Sequence, residues 1–138
     1  MIQRVQSLFF FFSAICSVTI VYAFPVLQYE STDYLLTEFT VAGVPMASFF
    51  VFLSAALSVF AIFQFKNRKR QQLIAYVARL MITITFLLIV FLHQEEGAEE
   101  RAFGIGLFLF FIPYLALFLA GYFVKKDEKL VKSGDRVR

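Results

Sequence analysis

Four long apolar runs alternate with short polar segments along the chain. They cover about residues 8–27, 47–65, 73–93 and 105–124. A helix of about 20 residues, rising 1.5 Å per residue, crosses the hydrocarbon core of a bilayer. No run contains an acidic residue, and Phe9–Phe12 shows none of the polar–apolar alternation of a barrel strand. Since a backbone in lipid must satisfy its own hydrogen bonds, the pattern predicts an all-α membrane protein.

The four runs predict one four-helix transmembrane domain over residues 1–138. The connection between the second and third runs is short, so these helices are expected to be antiparallel neighbours. The resulting arrangement is an up-down-up-down bundle. Arg4, the first apolar run and Val21–Ala23 also resemble a signal peptide with its cleavage site. We expect this run to stay in place as a span, because the apolar sequence continues past Ala23.

Basic residues concentrate in the segments on one side of this bundle. Segment 66–72 has four basic residues and no acid, the tail 125–138 has six basic residues, and Arg4 precedes the first run. Together they hold 11 of the 13 Lys and Arg. The segments on the other side, 28–46 and 94–104, have only acidic charged residues apart from Arg101. The positive-inside rule therefore predicts that both termini and segment 66–72 are cytoplasmic.

The composition excludes several classes of protein. The chain is 60% hydrophobic and 17% charged, whereas a soluble domain is about 45–50% apolar and about 25% charged. A soluble globule, a disordered tail and a nucleic-acid-binding module are therefore excluded. The single cysteine, Cys16, allows no internal disulfide and no Cys-x-x-Cys centre. With one histidine, His93, a single copy cannot hold haem between two histidines. We expect no cofactor, no metal site and no nucleic-acid partner.

Three short segments carry a resemblance to a known family. The chain opens with MIQR at 1–4, has KNRK at 66–69, and carries KKDEKLVKSGDR at 125–136. Together these resemble a family of small four-helix inner-membrane proteins of Bacteroidetes that is catalogued as a domain of unknown function. The resemblance implies a multi-pass protein of the bacterial inner (cytoplasmic) membrane. It supplies no catalytic residue.

Arg79 is the only charged residue within a run. Charges inside a membrane often serve function. Helical side chains tilt toward the N-terminus of their helix, so Arg79 is expected to extend toward the cytoplasmic interface as an anchor. The alternatives are an ion pair, for which Asp127 or Glu128 is the candidate acid, and a contact with substrate or lipid.

Small residues and one proline mark the packing faces. Stripes of small residues let helix backbones approach one another, within one chain or between copies. The stripes are Ser13 and Ser17 in the first run, and Ala47, Ser54, Ser58 and Ala61 in the second. Pro113 cannot donate to the carbonyl of Leu109, so a kink is expected there, as a static bend or as a hinge.

The segments on the acidic side have weaker signals. Segment 28–46 is expected to form an interfacial turn of helix, and Pro45 to start the second helix. Carboxylates can hold Ca²⁺ or Mg²⁺, but a solvated acidic loop is the simpler interpretation of the cluster after the third run. This cluster consists of His93, Glu95, Glu96, Glu99 and Glu100.

Three functions from different classes fit these features. The first is a non-catalytic accessory or scaffold subunit that presents its basic loop and tail to membrane lipids and to a protein partner. The second is a small homo-oligomeric transporter or channel, although no run has the carboxylate that couples protons. The third is a membrane enzyme acting on lipid or quinone. The candidate cytoplasmic residues for a partner or for lipid are Lys66, Arg68, Lys69, Arg70, Arg79, Asp127, Glu128, Lys129 and Arg136.

Overall fold

The computed structural model describes residues 2–30, 36–95 and 101–135. The helices are α1 (Ile2–Ala23), α2 (Pro45–Phe63), α3 (Arg68–Glu95), α4 (Ile105–Leu109) and α5 (Phe111–Asp135). The strands are β1 (Pro25–Glu30), β2 (Leu36–Thr40) and β3 (Arg101–Phe103), and a 3₁₀ turn, Val41–Gly43, precedes α2. Helices α1, α2 and α3, and α4 with α5 as one segment, are long and apolar enough to cross a membrane. The prediction of four membrane-spanning segments is confirmed by their length and composition.

The helices bury one narrow stripe each. On α2 and α3 the least exposed positions alternate between spacings of four and three residues, which is the repeat of helices that pack side by side at a small angle. On α2 the stripe is Ala47, Val51, Ser54, Ser58 and Ala61; on α3 it is Gln71, Ala75, Ala78, Ile82, Thr85 and Ile89. Helix α1 packs against α2 and α5, and α3 packs against the same two helices. The predicted stripe of small residues on the second run is therefore a packing face within the chain.

The core combines small residues with aliphatic side chains and the two phenylalanines Phe10 and Phe110, whereas most other phenylalanines are outside. Ser54 is fully buried and its Oγ donates to the carbonyl of Ala78 at 3.0 Å. Phe11, Phe49 and Phe63 are 55%, 62% and 70% exposed. In water this distribution would leave a large apolar surface exposed. In a bilayer it is expected, because lipid tails accept phenylalanine while close helix contact needs small residues.

The fourth membrane-spanning segment is interrupted at the position where the kink was expected. Helix α4 ends at Leu109 and α5 begins at Phe111. Pro113 has no N–H to give to the Leu109 carbonyl, which breaks the hydrogen-bond ladder there. The Oγ of Ser13 on α1 donates to the Pro113 carbonyl at 3.2 Å. The break is thus held against α1 by a buried hydrogen bond.

The interfacial turn of helix expected in segment 28–46 is not found at residues 28–30 and 36–40, and residues 31–35 lie outside the described part of the chain. The antiparallel strands β1 and β2 form there, and β3 joins the free edge of β1 to give the strand order β2-β1-β3. The first helix accordingly ends at Ala23 rather than at residue 27. Proline disfavours helix at the residue before it, so Pro25 ends α1 and starts the central strand. Threonine and phenylalanine in β2 favour an extended backbone.

Two glycines let this sheet lie directly against the start of α4. The N–H of Gly104 donates to the carbonyl of Val26 at 2.9 Å. A Cβ added to Gly106 would lie 2.6 Å from the carbonyl oxygen of Pro25. The chain therefore depends on glycine at this junction.

At the other end of the bundle, α2 and α3 are joined by only four residues. The predicted loop 66–72 is shorter than expected, because residues 68–72 already belong to α3. The predicted tail also has structure, since α5 continues from the apolar run to Asp135. These 11 further residues (125–135) extend the helix by about 16 Å.

Candidate functional site

The turn between α2 and α3 is held by its own polar residues. Asn67 precedes the first residue of α3, and its Oδ1 accepts a hydrogen bond from the backbone N–H of Arg70 at 3.3 Å. This is the usual way in which asparagine caps a helix. Gln71 is buried and its Nε2 donates to the carbonyl of Ala61 at 3.1 Å. The turn is therefore fixed to both helices, so the backbone that carries the basic side chains has a defined position.

Asp127 on α5 forms an ion pair with Arg68 at the start of α3. The Nε of Arg68 and the Oδ2 of Asp127 are 3.0 Å apart, with 26% and 15% of the two side chains exposed. The N–H does not point at the oxygen, since Oδ2 is enclosed and accepts no aligned hydrogen bond. The contact is therefore electrostatic rather than a directed hydrogen bond. The ion pair between Arg79 and Asp127, one of the alternatives for Arg79, is not formed, since the Asp127 carboxylate lies against Arg68.

A second contact lies one turn further along α3. The Nε2 of Gln72 donates to Oε2 of Glu128 at 3.0 Å. Helix α3 has no acidic residue in its own first turn, although carboxylates stabilise the positive N-terminal end of a helix dipole. Asp127 supplies such a charge from the neighbouring helix. The tail's acidic pair, Asp127 and Glu128, thus faces α3 and joins the tail to the turn.

Apart from Arg79, the other charged side chains that the structure describes at this end are basic and exposed. Lys66, Arg70, Lys126 and Lys129 have exposed side chains, and we refer to these four residues as the basic platform. Lys69 and Lys125 are also exposed. Arg136 lies outside the described residues.

Arg79 extends along α3 toward the N-terminus of the helix, in the direction predicted for an anchor. Its Nε donates to the carbonyl of Ala75 at 3.4 Å, a long hydrogen bond. Its guanidinium carbon lies 5.6 Å from the ring centres of Tyr76 and Phe118. Both distances are within the range of cation–π attraction. Arg79 is therefore held between α3 and α5 by two aromatic rings.

A groove of 540 Å³ opens between these two helices at the same end of the bundle. We call it the α3–α5 groove. It is lined by Lys69, Gln72, Leu73, Tyr76 and Arg79 from α3, and by Phe118, Gly121, Tyr122 and Lys125 from α5. Its volume is within the usual range for small-molecule sites, about 300–1,000 Å³. The sequence-predicted residues Lys69 and Arg79 both line this groove.

Several groove residues were not singled out in the sequence. Lys69, Gln72, Tyr76 and Arg79 recur at helical spacing, and this is the signal that could have identified one wall. No comparable signal identifies Gly121, whose contribution is the space left by a missing side chain. Gly121 lies 42 residues after Arg79 in the sequence (121 minus 79). Only the packing of α5 on α3 shows that the two residues are neighbours.

The acidic cluster at the opposite end was named as a possible site for Ca²⁺ or Mg²⁺. Glu96, Glu99 and Glu100 lie outside the described residues, as do the side chains of His93 and Glu95. Within residues 2–30, 36–95 and 101–135, no group of three His, Cys, Asp or Glu side chains is placed to hold a metal ion.

Comparisons with known proteins extend the resemblance found in the sequence. No curated protein matches the chain. No solved structure matches it either. One family model covers residues 2–137, which is nearly the whole chain, and it is described as "Domain of unknown function (DUF4293)". The chain therefore belongs to the DUF4293 family, a domain of unknown function that contributes here four helices able to span a membrane.

Proposed function

We propose that this protein is a non-catalytic accessory or scaffold subunit of a bacterial inner membrane. In this proposal both termini and the turn between α2 and α3 are cytoplasmic, and the helices run up-down-up-down. The basic platform then faces the cytoplasm, where it docks a protein partner with an acidic surface. The concentration of 11 of the 13 Lys and Arg in the segments of this side supports the orientation.

The observation that carries the proposal is the linkage of the tail to the turn. The ion pair between Arg68 and Asp127 and the hydrogen bond between Gln72 and Glu128 join segments more than 50 residues apart in sequence. They engage two of the tail's acidic residues and leave four basic side chains exposed beside them. A patch of positive charge on a fixed backbone favours binding of a negatively charged surface. Little conformational entropy is lost on binding, because the backbone is already ordered.

The test is recovery of a partner from membranes with a tagged full-length chain in mild detergent. We expect a stoichiometric partner, identified by mass spectrometry, to bind the unmodified chain. Reversing the platform with Lys66→Glu, Arg70→Glu, Lys126→Glu and Lys129→Glu should lower its recovery about tenfold or more, because like charges would then face each other.

The matched control replaces the three platform lysines by arginine, which keeps the charge. It should recover the partner as well as the unmodified chain does. Positive charge also sets the insertion of a membrane protein, so protease access to the tail is measured for each variant. Equal recovery with the reversed and the control platforms would contradict the proposal. A clean homo-oligomer without a partner would favour the small transporter or channel instead.

A further inference from the structure

The α3–α5 groove combines cationic and apolar walls. Lys69, Arg79 and Lys125 supply three positive charges, and none of the described residues that line the groove is acidic. The nearby Glu128 accepts a hydrogen bond from Gln72. An anion entering the groove therefore meets positive charge from both helices, and one neighbouring carboxylate already has a donor.

The apolar wall faces away from the protein core. Leu73 is 63% exposed and Phe118 is 50% exposed, and both belong to the apolar runs that are long enough to cross a membrane. Tyr76 and Tyr122 are also exposed. Tyrosine is enriched at the level of lipid headgroups, where one end of its side chain is apolar and the other is wet. This combination of residues is typical of the boundary between hydrocarbon and headgroups.

The three positively charged residues lie at different depths along the groove. Arg79 lies ten residues beyond Lys69 on α3, which is about 15 Å along the helix axis. Its side chain turns back toward Tyr76, so the guanidinium lies nearer the mouth than its Cα does. The two lysines are at the mouth, and the guanidinium lies below them. Positive charge from both helices thus lines the groove from its mouth to the level of Arg79.

Gly121 makes the room for this arrangement. A Cβ at Gly121 would lie 4.0 Å from Nη2 of Arg79 and 4.0 Å from Cβ of Ala75. Alanine would therefore fit there with ordinary contacts, whereas a larger side chain would extend into the space beside the guanidinium. The groove depends on a small residue at this position of α5.

We propose that the α3–α5 groove is a binding site for one anionic phospholipid. Its phosphate is bound by Lys69, Arg79 and Lys125, and one acyl chain lies along Leu73 and Phe118. Arginine suits this role because its planar guanidinium can give two hydrogen bonds to one phosphate. A free phosphate ion would satisfy the charges but would leave the apolar wall uncovered, so the occupant is a lipid. The proposal does not depend on the basic platform, since it involves different residues.

The test is native mass spectrometry of the full-length protein in detergent with added lipid. The probes are phosphatidylglycerol, phosphatidylcholine and inorganic phosphate, each used alone. We expect one phosphatidylglycerol to stay bound per chain, and much less phosphatidylcholine. Arg79→Gln and Lys125→Gln should each weaken phosphatidylglycerol binding about tenfold, which is the change expected on losing one hydrogen bond to a charged group. Lys126→Gln is the matched control and should leave binding unchanged.

A second pair of variants tests the space rather than the charge. Gly121→Leu should reduce binding of phosphatidylglycerol by a similar factor, while Gly121→Ala should bind it normally. Circular dichroism checks that each variant keeps its helical content, and Lys125 is exposed, so its replacement keeps the test valid even if Arg79→Gln fails to fold. Three results would overturn the proposal: equal retention of the two lipids, equal effects at Lys125 and Lys126, or binding of inorganic phosphate as tight as that of phosphatidylglycerol.

Discussion

Replacing Gly106 by alanine tests whether α4 and the sheet are in the close contact that the structure shows. Gly106 lies in the first turn of α4, directly against the backbone between α1 and β1. A Cβ at this position would lie 2.6 Å from the carbonyl oxygen of Pro25 and 2.9 Å from that of Phe24. A carbon and a carbonyl oxygen normally approach to about 3.3–3.6 Å. Close to 1 Å of separation must therefore open between the two segments.

The backbone here cannot move aside at low cost. Pro25 begins the central strand of the sheet, and β1 is hydrogen-bonded on both edges. Overpacking of a well-packed site lowers the free energy of unfolding by about 1–3 kcal/mol. Because the added Cβ would clash with two backbone atoms, we expect a cost at the upper end, about 3 kcal/mol. The better helix propensity of alanine offsets at most about 1 kcal/mol of this cost. The expected loss in the free energy of unfolding is about 2 kcal/mol.

Gly121→Ala is the matched control, since it makes the same substitution in a helix of the same bundle. The nearest atoms to its Cβ are 4.0 Å away, which is ordinary contact. We expect it to be neutral or to stabilise the protein by up to about 1 kcal/mol. The measurement is unfolding in mixed micelles, followed by far-UV circular dichroism as a denaturing detergent is added. If Gly106→Ala were as stable as Gly121→Ala, the close approach of α4 to the sheet would be refuted.

Two further predictions follow from the basic end of the bundle. In a double-mutant cycle, Arg68→Gln and Asp127→Asn should show a coupling energy of about 0.5–1 kcal/mol, because the pair is only partly exposed; additive effects would contradict the ion pair. In a variant with Cys16→Ala, a cysteine at Glu38 should react in intact cells with a thiol reagent that cannot cross the inner membrane, and one at Ser133 should react only after lysis. The reverse pattern would overturn the proposed orientation.

The four spans could be predicted from the sequence because they depend on local properties. Length, lack of acidic residues and hydropathy are all properties of one contiguous segment. The break between α4 and α5 is also local, because it follows from the missing N–H of Pro113. The stripe of Ala47, Ser54, Ser58 and Ala61 was also correct, since helical periodicity alone places these residues on one face. For the same reason the direction of the Arg79 side chain was predictable.

The sheet was not predicted because each of its strands is short and is stabilised by hydrogen bonds to strands in other parts of the sequence. Strand β3 has three residues and pairs with β1, more than 70 residues earlier. Isolated short strands have little stability of their own, so a local pattern gives a weak signal. The tight junction at Gly104 and Gly106 exists only once this sheet is placed on α4.

The pairing of charges was likewise decided by the packing. Hydropathy and charge assign each segment to one end of the bundle, so it was predictable that four charged residues lie at the same end: Arg68, Arg79, Asp127 and Glu128. Which of these groups pair could not be predicted, because the pairing depends on the rotation of α3 against α5. A contact between two side chains is lost when they move apart by a few ångströms. The tertiary structure placed Asp127 beside Arg68 and left Arg79 between two aromatic rings in an open groove.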